Sequence, residues 1–384
     1  MSYYLLPKTN NNILYNYINC SLQEIKPTPC ISYSLSNYLC ELKKKIEKNE
    51  KNWGNFKKYT NPYEYIHTII PNKKTAISKL NPLSRSYFKM IEIVDVFKII
   101  PDYSHNMNCF HLAEGPGGFI EAMVHKRKNT NDTYVGMTLL NDKHDTNIPA
   151  WKKSNIFLQQ NSNVSIETGA DNTGNILSFQ NLTHCKNKYT KKFEFITGDG
   201  GFDFSLDFNS QEINITQLLL AQVIYALNLQ KINGCFVLKI FDCFMPHTID
   251  IIYILSCCYQ KVYFMKPHTS RQANSEKYVI CKNFIGLSPH LENTLNECFK
   301  NVINLPENNY IHRFLTIPIP NFFLTKLQEF NAILGQQQIE NIHYTITLIN
   351  NKFKQDKLDT ILKHNIQKST SWCIKHNIEY NADI

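Results

Sequence analysis

Three ionisable residues stand where a plain apolar core would not put them. The run FEFITGDGGFDF is apolar until it stops at Asp199 and two glycines, which is how a buried parallel strand delivers a carboxylate to a cleft. The β-branched run CFVLKIF carries Lys239 in its middle, and TSRQANSEKYVICKNF sets Glu276 just before another strand-like run. Doubly wound α/β folds bring such positions to one edge of one sheet. A lysine and two carboxylates gathered there form an ionic cluster able to hold and hand over a proton.

A second stretch supplies a binding loop. In CFHLAEGPGGFIEAMVHKRK an apolar strand runs into Glu114, Gly115, Pro116, Gly117 and Gly118 before a helix begins. Glycine lets the chain turn sharply and brings its backbone close to a ligand, and the amides at the helix start face an anionic group. A dinucleotide-binding turn would read G-x-G-x-x-G. The tighter G-P-G-G suits a smaller anion such as the carboxylate of an amino acid. After the second and third strands (TYVGMTLL and VSIETG), the loop GADNTGNILSF offers Asp171 and Asn175 where such folds read a nucleoside; the same residues also suit a capped turn.

The elements that must position these residues follow in order. QEINITQLLLAQVIYALNLQ has helical apolar spacing, as does TIDIIYILSCCY, and KVYFMKP is a short strand. Upstream, SRSYFKMIEIVDVFKII reads as an amphipathic helix on which Lys89 looks ordinary. The lysine-rich run from Ser36 to Lys58 reads as a solvated helix face or, alternatively, as a surface that meets phosphates. Residues 1 to about 35 are polar and Asn-rich. Beyond Lys282 four short amphipathic helices are expected, from SPHLENTLNECFKNVINL, IPNFFLTKLQEFNAIL, QIENIHYTITLINNKF and LDTILKHNIQKSTSWCIKHNI. The expected organisation is an N-terminal polar and helical extension over 1–60, an α/β core over 61–284, and a helical C-terminal extension over 285–384 packed on the core.

Composition sets the outer bounds. The 384 residues are 43% hydrophobic, enough for a buried core, and carry a formal charge of +9, which favours an anionic partner. The 12 cysteines are scattered without a C-x-x-C, as thiols in a reducing compartment are. No cluster has metal-ligand spacing, so no metal is expected. Neither a signal peptide nor an apolar run of membrane-spanning length is visible, so no membrane partner is expected and the protein is placed in the cytosol or nucleus. Abundant Asn, Lys and Ile fit an AT-rich genome.

Seven motifs resemble the FtsJ-like (Adrift-type) ribose 2′-O-methyltransferases, and most of all their mRNA cap branch: NPYE (Asn61 to Glu64), SRSYFKM around Lys89, GPGGF (Gly115 to Phe119), GMTL (Gly136 to Leu139), DGGF (Asp199 to Phe202), LKIFD (Leu238 to Asp242) and KPHTSRQANSEKYVICK (Lys266 to Lys282). The resemblance implies an α/β Rossmann-like methyltransferase fold, with a mostly parallel seven-stranded sheet flanked by helices. It implies S-adenosyl-L-methionine as cofactor, and the 5′ end of capped mRNA as partner, with other capping enzymes alongside. The catalytic set falls on Lys89, Asp199, Lys239 and Glu276. Lys239 would be the central base, Lys89 a second cation that favours its neutral form, and the carboxylates would hold the ammonium groups.

The chemistry gives those residue types a reason. A ribose hydroxyl must lose its proton as it attacks a methyl carbon. A free lysine, with a pKa near 10.4, accepts that proton at neutral pH only when shifted by roughly 3 units, about 4 kcal/mol. Cofactor contacts carry over by resemblance onto Ser84, Ala113, Glu114, Gly115, Pro116, Gly117, Gly118, Phe119, Asn175 and Ile176. RNA contacts carry over onto Lys57, Asn209, Ser210, Gln211 and Asn274, and onto Leu42 to Ile46. Two positions depart from the family: Asn175 stands where Asp is usual, and Ser84 where Asn is common. NPYE and SRSYFK favour the first transcribed nucleotide, whereas Glu114 resembles the branch acting on the second. The bare domain and AT-rich bias resemble a large-DNA-virus member working in host cytoplasm. The other readings are ribose methylation of ribosomal or transfer RNA and a non-catalytic RNA-binding subunit of a capping complex.

Overall fold

The structure, a computed structural model, describes residues 3–9, 16–100, 105–140, 150–201, 209–351 and 355–382. The chain opens with strands β1 (Tyr3–Leu5) and β2 (Ile18–Gln23), then helices α1 (Tyr33–Glu47), α2 (Glu50–Tyr59) and α3 (Ser86–Phe97). An alternating series follows: β3 (Asn108–Leu112), α4 (Gly118–Arg127), β4 (Thr133–Met137), α5 (Asn155–Gln160), β5 (Val164–Glu167), α6 (Phe179–Lys188) and β6 (Phe193–Gly198). Next come α7 (Gln211–Asn214), α8 (Thr216–Leu229), β7 (Gln230–Ile240), α9 (Pro246–Cys258), β8 (Tyr259–Met265) and β9 (Lys277–Phe284). The last elements are α10 (Pro289–Ile303), β10 (Tyr310–Leu315), α11 (Asn321–Asn350) and α12 (Gln355–Lys375).

The main sheet has the order β1-β8-β9-β7-β6-β3-β4-β5. The Rossmann-like α/β architecture is the one expected, with a correction to the sheet. It has eight strands among the described residues, because the tripeptide β1 adds to β8, and it is mixed. β7, β6, β3, β4 and β5 run parallel, whereas β9 is antiparallel to both β7 and β8. An antiparallel strand begins at the edge where its parallel neighbours end. The start of β9 therefore brings Glu276 to the edge where β6 delivers Asp199 and β7 delivers Lys239.

Strand periodicity feeds two cores. Ile196, Phe236, Leu238, Val279 and Cys281 belong to the apolar layer under α8, α9 and α10, while their neighbours Phe195, Val237, Tyr278 and Ile280 belong to the layer under α3 and α4. Side chains alternate across a pleated strand, so both faces of these central strands are covered by helices. Lys239, two residues after Val237, therefore lies on the α3 side of the sheet. Helix α3 is a buried helix, not the amphipathic one expected from its sequence: Tyr87 through Val94 are all buried, Lys89 and Glu92 included.

The flanking segments are tied together. β2 pairs with β10 in a separate two-stranded sheet, so the polar N-terminal stretch and the C-terminal region share a ribbon. Two of the short helices expected near the C-terminus are one continuous helix, α11, of 30 residues. Gly335 in its middle does not break it, because α1 packs there: a Cβ on Gly335 would lie 2.8 Å from Leu35 Cδ1. α10 starts at Pro289 behind Ser288, whose hydroxyl accepts the Leu291 amide at 3.2 Å.

Candidate active site

Lys239 and Tyr278 face each other across the β7–β9 ladder, and both reach the end of β6. Lys239 Nζ donates to the Asp199 carbonyl at 2.7 Å and lies 3.3 Å from its Oδ1. Tyr278 Oη donates to the same Oδ1 at 3.0 Å. Burial, with Asp199 and Glu276 behind it, pushes the Tyr278 hydroxyl well above its ordinary range, so it stays a donor. Gly201 leaves the approach open: a Cβ there would stand 3.2 Å from Lys239 Nζ.

The other half of the cluster comes from α3 and β9. Lys89 Nζ lies 2.7 Å from Glu276 Oε1 and 2.8 Å from Oε2, and Ser270 Oγ donates to Oε1 at 2.7 Å. Burial pulls the Lys89 ammonium down, while Glu276 pulls it up and Arg85 adds to the lowering. Burial pushes the Glu276 carboxyl up, but Lys89, Lys239 and Arg85 together hold it far below the usual carboxylate range.

The segment 266–276 that carries Glu276 is fixed at both ends. Lys266 Nζ donates to the Asn274 carbonyl and the Glu276 carbonyl, each at 2.7 Å, and to Asn274 Oδ1 at 2.9 Å. Burial pushes its pKa down to about 7. From below, Glu92 on α3 accepts the amides of His268 at 2.7 Å and Thr269 at 3.2 Å. Behind Glu276, Ser275 Oγ donates to Asp242 Oδ2 at 3.0 Å, and Lys43 pairs with that same oxygen at 2.7 Å.

Two hollows meet at this cluster. The first, about 660 Å³, is lined by all four residues Lys89, Asp199, Lys239 and Glu276. Of the positions expected to hold a cofactor, Ser84, Ala113, Glu114, Gly115, Pro116, Asn175 and Ile176 line it as well. Gly117, Gly118 and Phe119 do not; they shape the turn behind it. Gly117 has φ +106° and caps α4, Gly118 packs under Ser84 and Ser86, and the Phe119 ring is in the core against Tyr278. Glu114 Oε1 accepts the Phe119 amide at 2.5 Å, and its Oε2 is buried without a partner. Burial, with Asp199 adding to it, raises the Glu114 carboxyl well above its ordinary value. Asp171 instead bonds Thr173 and Asn181 within its own loop.

The second hollow, about 490 Å³, shares Arg85, Gly201, Lys239 and Glu276 with the first. Lys57, Gln211 and Asn274 line it, as do Lys43 and Ile46 from the 42–46 stretch. Asn209 and Ser210 are not on its wall, and Ser210 Oγ accepts from Lys26 at 2.7 Å. Phe202 of the DGGF run lies outside the described residues. Lys43 is 5% exposed, so at that position the lysine-rich run is neither a solvated face nor a free cation.

Sequence reasoning missed Tyr278, Ser270, Lys266 and Arg85. Arg85 is the most informative of them: it lines both hollows, and its Nη1 is buried without a hydrogen-bond partner. It lies four residues before Lys89, one helical turn away, a spacing that could have singled it out.

Glu212, one residue past the Asn209 to Gln211 turn, makes a pH-dependent joint. Its Oε1 accepts the amides of Phe244 at 2.9 Å and Met245 at 2.8 Å. Burial, reinforced by Asp242, pushes its pKa up to about 7 from 4.5. Between those values the folded chain holds more proton than the unfolded chain. The stabilisation is therefore complete below about pH 4.5 and is lost as pH rises through about 7, at about 1.4 kcal/mol per unit. Glu212→Gln removes that slope. Urea unfolding at about pH 5 and about pH 8 should show wild type losing on the order of 2–3 kcal/mol relative to the variant. Parallel stability curves would refute it.

Among the described residues no helix is long and apolar enough to cross a membrane, and no group of three or more His, Cys, Asp and Glu could hold a metal ion. A sequence model of the FtsJ-like methyltransferases matches residues 82–284. The chain is 28% identical over 345 residues to cap-specific mRNA (nucleoside-2′-O-)-methyltransferase 2 of Pongo abelii, covering 85% of this chain and 43% of that one. It is 34% identical over 289 residues to cap-specific mRNA (nucleoside-2′-O-)-methyltransferase 1 of Mus musculus, covering 71% and 32% respectively. The corresponding enzyme 1 of Drosophila melanogaster is 29% identical over 297 residues, 73% of this chain and 36% of its own length. The chain thus spans less than half the length of these relatives.

Proposed function

The chain belongs to the FtsJ-like methyltransferase family, and from that premise we propose that it transfers a methyl group from S-adenosyl-L-methionine to the ribose 2′-hydroxyl of a nucleotide at the 5′ end of capped mRNA, the first transcribed nucleotide in preference. The observation that carries the reading is the meeting of Lys89, Asp199, Lys239 and Glu276 at the junction of two hollows, one suited to a cofactor and the other to a substrate.

The fit of the cofactor rests on the first hollow. At about 660 Å³ it is of a size that encloses small ligands. Its glycine turn comes close to the opposite wall, since a Cβ on Gly115 would lie 2.5 Å from the Ala150 carbonyl oxygen. The unpartnered Glu114 Oε2 is a polar atom awaiting a ligand group. The upward shift of that carboxyl favours its neutral form, which can donate a hydrogen bond. Ser84 and the Glu114 to Pro116 turn would hold the amino-acid end, and Asn175 with Ile176 the nucleoside. S-adenosyl-L-methionine, when bound, supplies a methyl carbon activated by its sulfonium.

The chain's own groups do the rest. Lys239 Nζ, held at the end of β6 by Asp199, is placed to take the hydroxyl proton. Lys89 and Arg85 set positive charge beside the oxygen that sheds that proton, and Glu276 fixes Lys89 with both of its oxygens. Tyr278 holds Asp199 from across the ladder, so that its remaining contacts are directed to Lys239. In the second hollow Trp53 and Phe241 offer aromatic faces to bases, with Lys57 and Arg271 as cations for phosphates.

The test is transfer of labelled methyl from S-adenosyl-L-methionine to matched short RNAs, capped and uncapped, with the first or second 2′ position already methylated. Label should appear on capped RNA and be lost when the first position is blocked. Loss on blocking the second position moves the site by one nucleotide. Equal label on uncapped RNA overturns the cap reading, and no label on any RNA overturns methyl transfer itself.

A further inference from the structure

A third hollow lies outside this site, where α12 crosses the segment that carries Glu276. It is about 250 Å³ and is lined by Tyr63, His268, Trp372 and His376, together with His364, Lys368 and Lys375 from α12. His364, Lys368 and Lys375 recur at helical spacing and so stand on one face of that helix. No carboxylate lines the hollow, and neither Lys368 nor Lys375 forms an ion pair among the described residues. Three lysines on other helices are by contrast paired within their own helix, Lys44 with Glu41, Lys300 with Glu297 and Lys326 with Glu329.

The wall is aromatic as well as basic. The Tyr63 and His268 rings stack at 4.9 Å with 21° between their planes, and Trp372 lies 4.4 Å from the His376 ring. Trp372 is anchored in the core edge-on to Phe88. Burial, with Lys375 and Lys368 among the groups that add to it, pushes the His268 imidazole down to about 4. At neutral pH that ring is therefore an uncharged stacking surface, with Lys368 and Lys375 on the same wall and Asp95 bonded to the His376 ring at 2.6 Å. Flat rings beside unpaired lysines are what a single-stranded nucleotide requires: a face for the base and a cation for its phosphate.

The hollow also has a route to the site. Asn61 and Arg271 line the second hollow, and Tyr63 and His268 line this one. The two stretches, 61–64 and 268–272, are clasped together: Arg271 grips both oxygens of Glu64, and Asn61 Oδ1 accepts the Gln272 amide at 3.0 Å. One wall therefore separates the two hollows, with Arg271 on it. We propose that this third hollow is a second RNA-binding subsite, which takes one stacked base and its flanking phosphates from the RNA body that leaves the second hollow over the Arg271 wall. It rests on the methyltransferase reading only in taking RNA as the substrate.

The test uses the full chain and its Lys368→Gln/Lys375→Gln variant, both changes lying on the surface of α12. Equilibrium binding is followed by fluorescence anisotropy for capped RNAs of about four and about twenty nucleotides across a range of salt. Wild type should hold the longer RNA about tenfold more tightly, a gain that one stacked base with its phosphates can supply. The variant should lose that gain, bind the short RNA as wild type does, and show a salt slope for the long RNA shallower by about 1.4, two phosphate contacts' worth on a single strand. A wild type with no preference for length overturns the proposal, and so does a variant that keeps the preference. Methyl transfer to the short RNA, assayed on the same two proteins, keeps the readings apart. Its absence from wild type, with length-dependent binding intact, sinks the enzymatic reading and leaves the subsite standing.

Discussion

Lys239→Met is expected to lower kcat for methyl transfer by about 10²–10⁴-fold, the range in which a positioned general base contributes. The lysine stands next to last in β7 on the α3 side of the sheet, and its Nζ is fixed by the Asp199 carbonyl at 2.7 Å and by Oδ1 at 3.3 Å. Methionine keeps the length of the side chain and removes the nitrogen proposed to take the proton. The glycine turn and the Asn175 loop are untouched, so S-adenosyl-L-methionine affinity, read by calorimetry, should stay near that of wild type. The loss should appear in kcat and in kcat/KM alike, as it does when an interaction made in the transition state is removed. A variant that turns over normally would take the base role away from Lys239.

The second large effect is expected at Glu276, and it separates structure from chemistry. Glu276→Ala leaves Lys89 with its charge buried and unpaired, a change that costs about 3–5 kcal/mol when one member of a buried pair is removed. Urea unfolding should show a loss of that order, together with loss of methyl transfer. The double variant Lys89→Met/Glu276→Met removes both charges and fills the space with apolar atoms, and buried pairs so replaced are often neutral or more stable than the original. Stability should therefore return while methyl transfer stays lost. If the double variant recovered activity along with stability, the pair would be a packing device and not part of the reaction.

How much of this was legible in the sequence depended on whether a residue broke a pattern. Asp199, Lys239 and Glu276 each interrupt or bound an apolar strand, so their place at the sheet edge could be read from their neighbours. Lys89 could not be read that way. It sits on a helix whose buried face is nearly the whole helix, and its partner is 187 residues away. Lys43 was misleading for the same reason: in a lysine-rich run it looks solvated, yet its partner Asp242 is 199 residues on. Tyr278 lies in a strand where an aromatic residue is ordinary core, and only the register that sets it opposite Lys239 gives its hydroxyl a task. The mixed sheet was hidden because strand patterns do not carry direction. β1 was hidden because three residues carry no pattern at all.

Glu92 gives the site a mechanical property. It stands on α3, less than a full turn beyond Lys89, and it holds the amides of His268 and Thr269 at the head of the segment that ends in Glu276. Lys89 rides on α3, whereas Glu276 stands at the start of β9, where Lys277 pairs with Ile240 of β7, the strand that carries Lys239. The Lys89–Glu276 pair therefore pins helix to sheet, and with Glu92 it sets how far α3 stands from the end of β7.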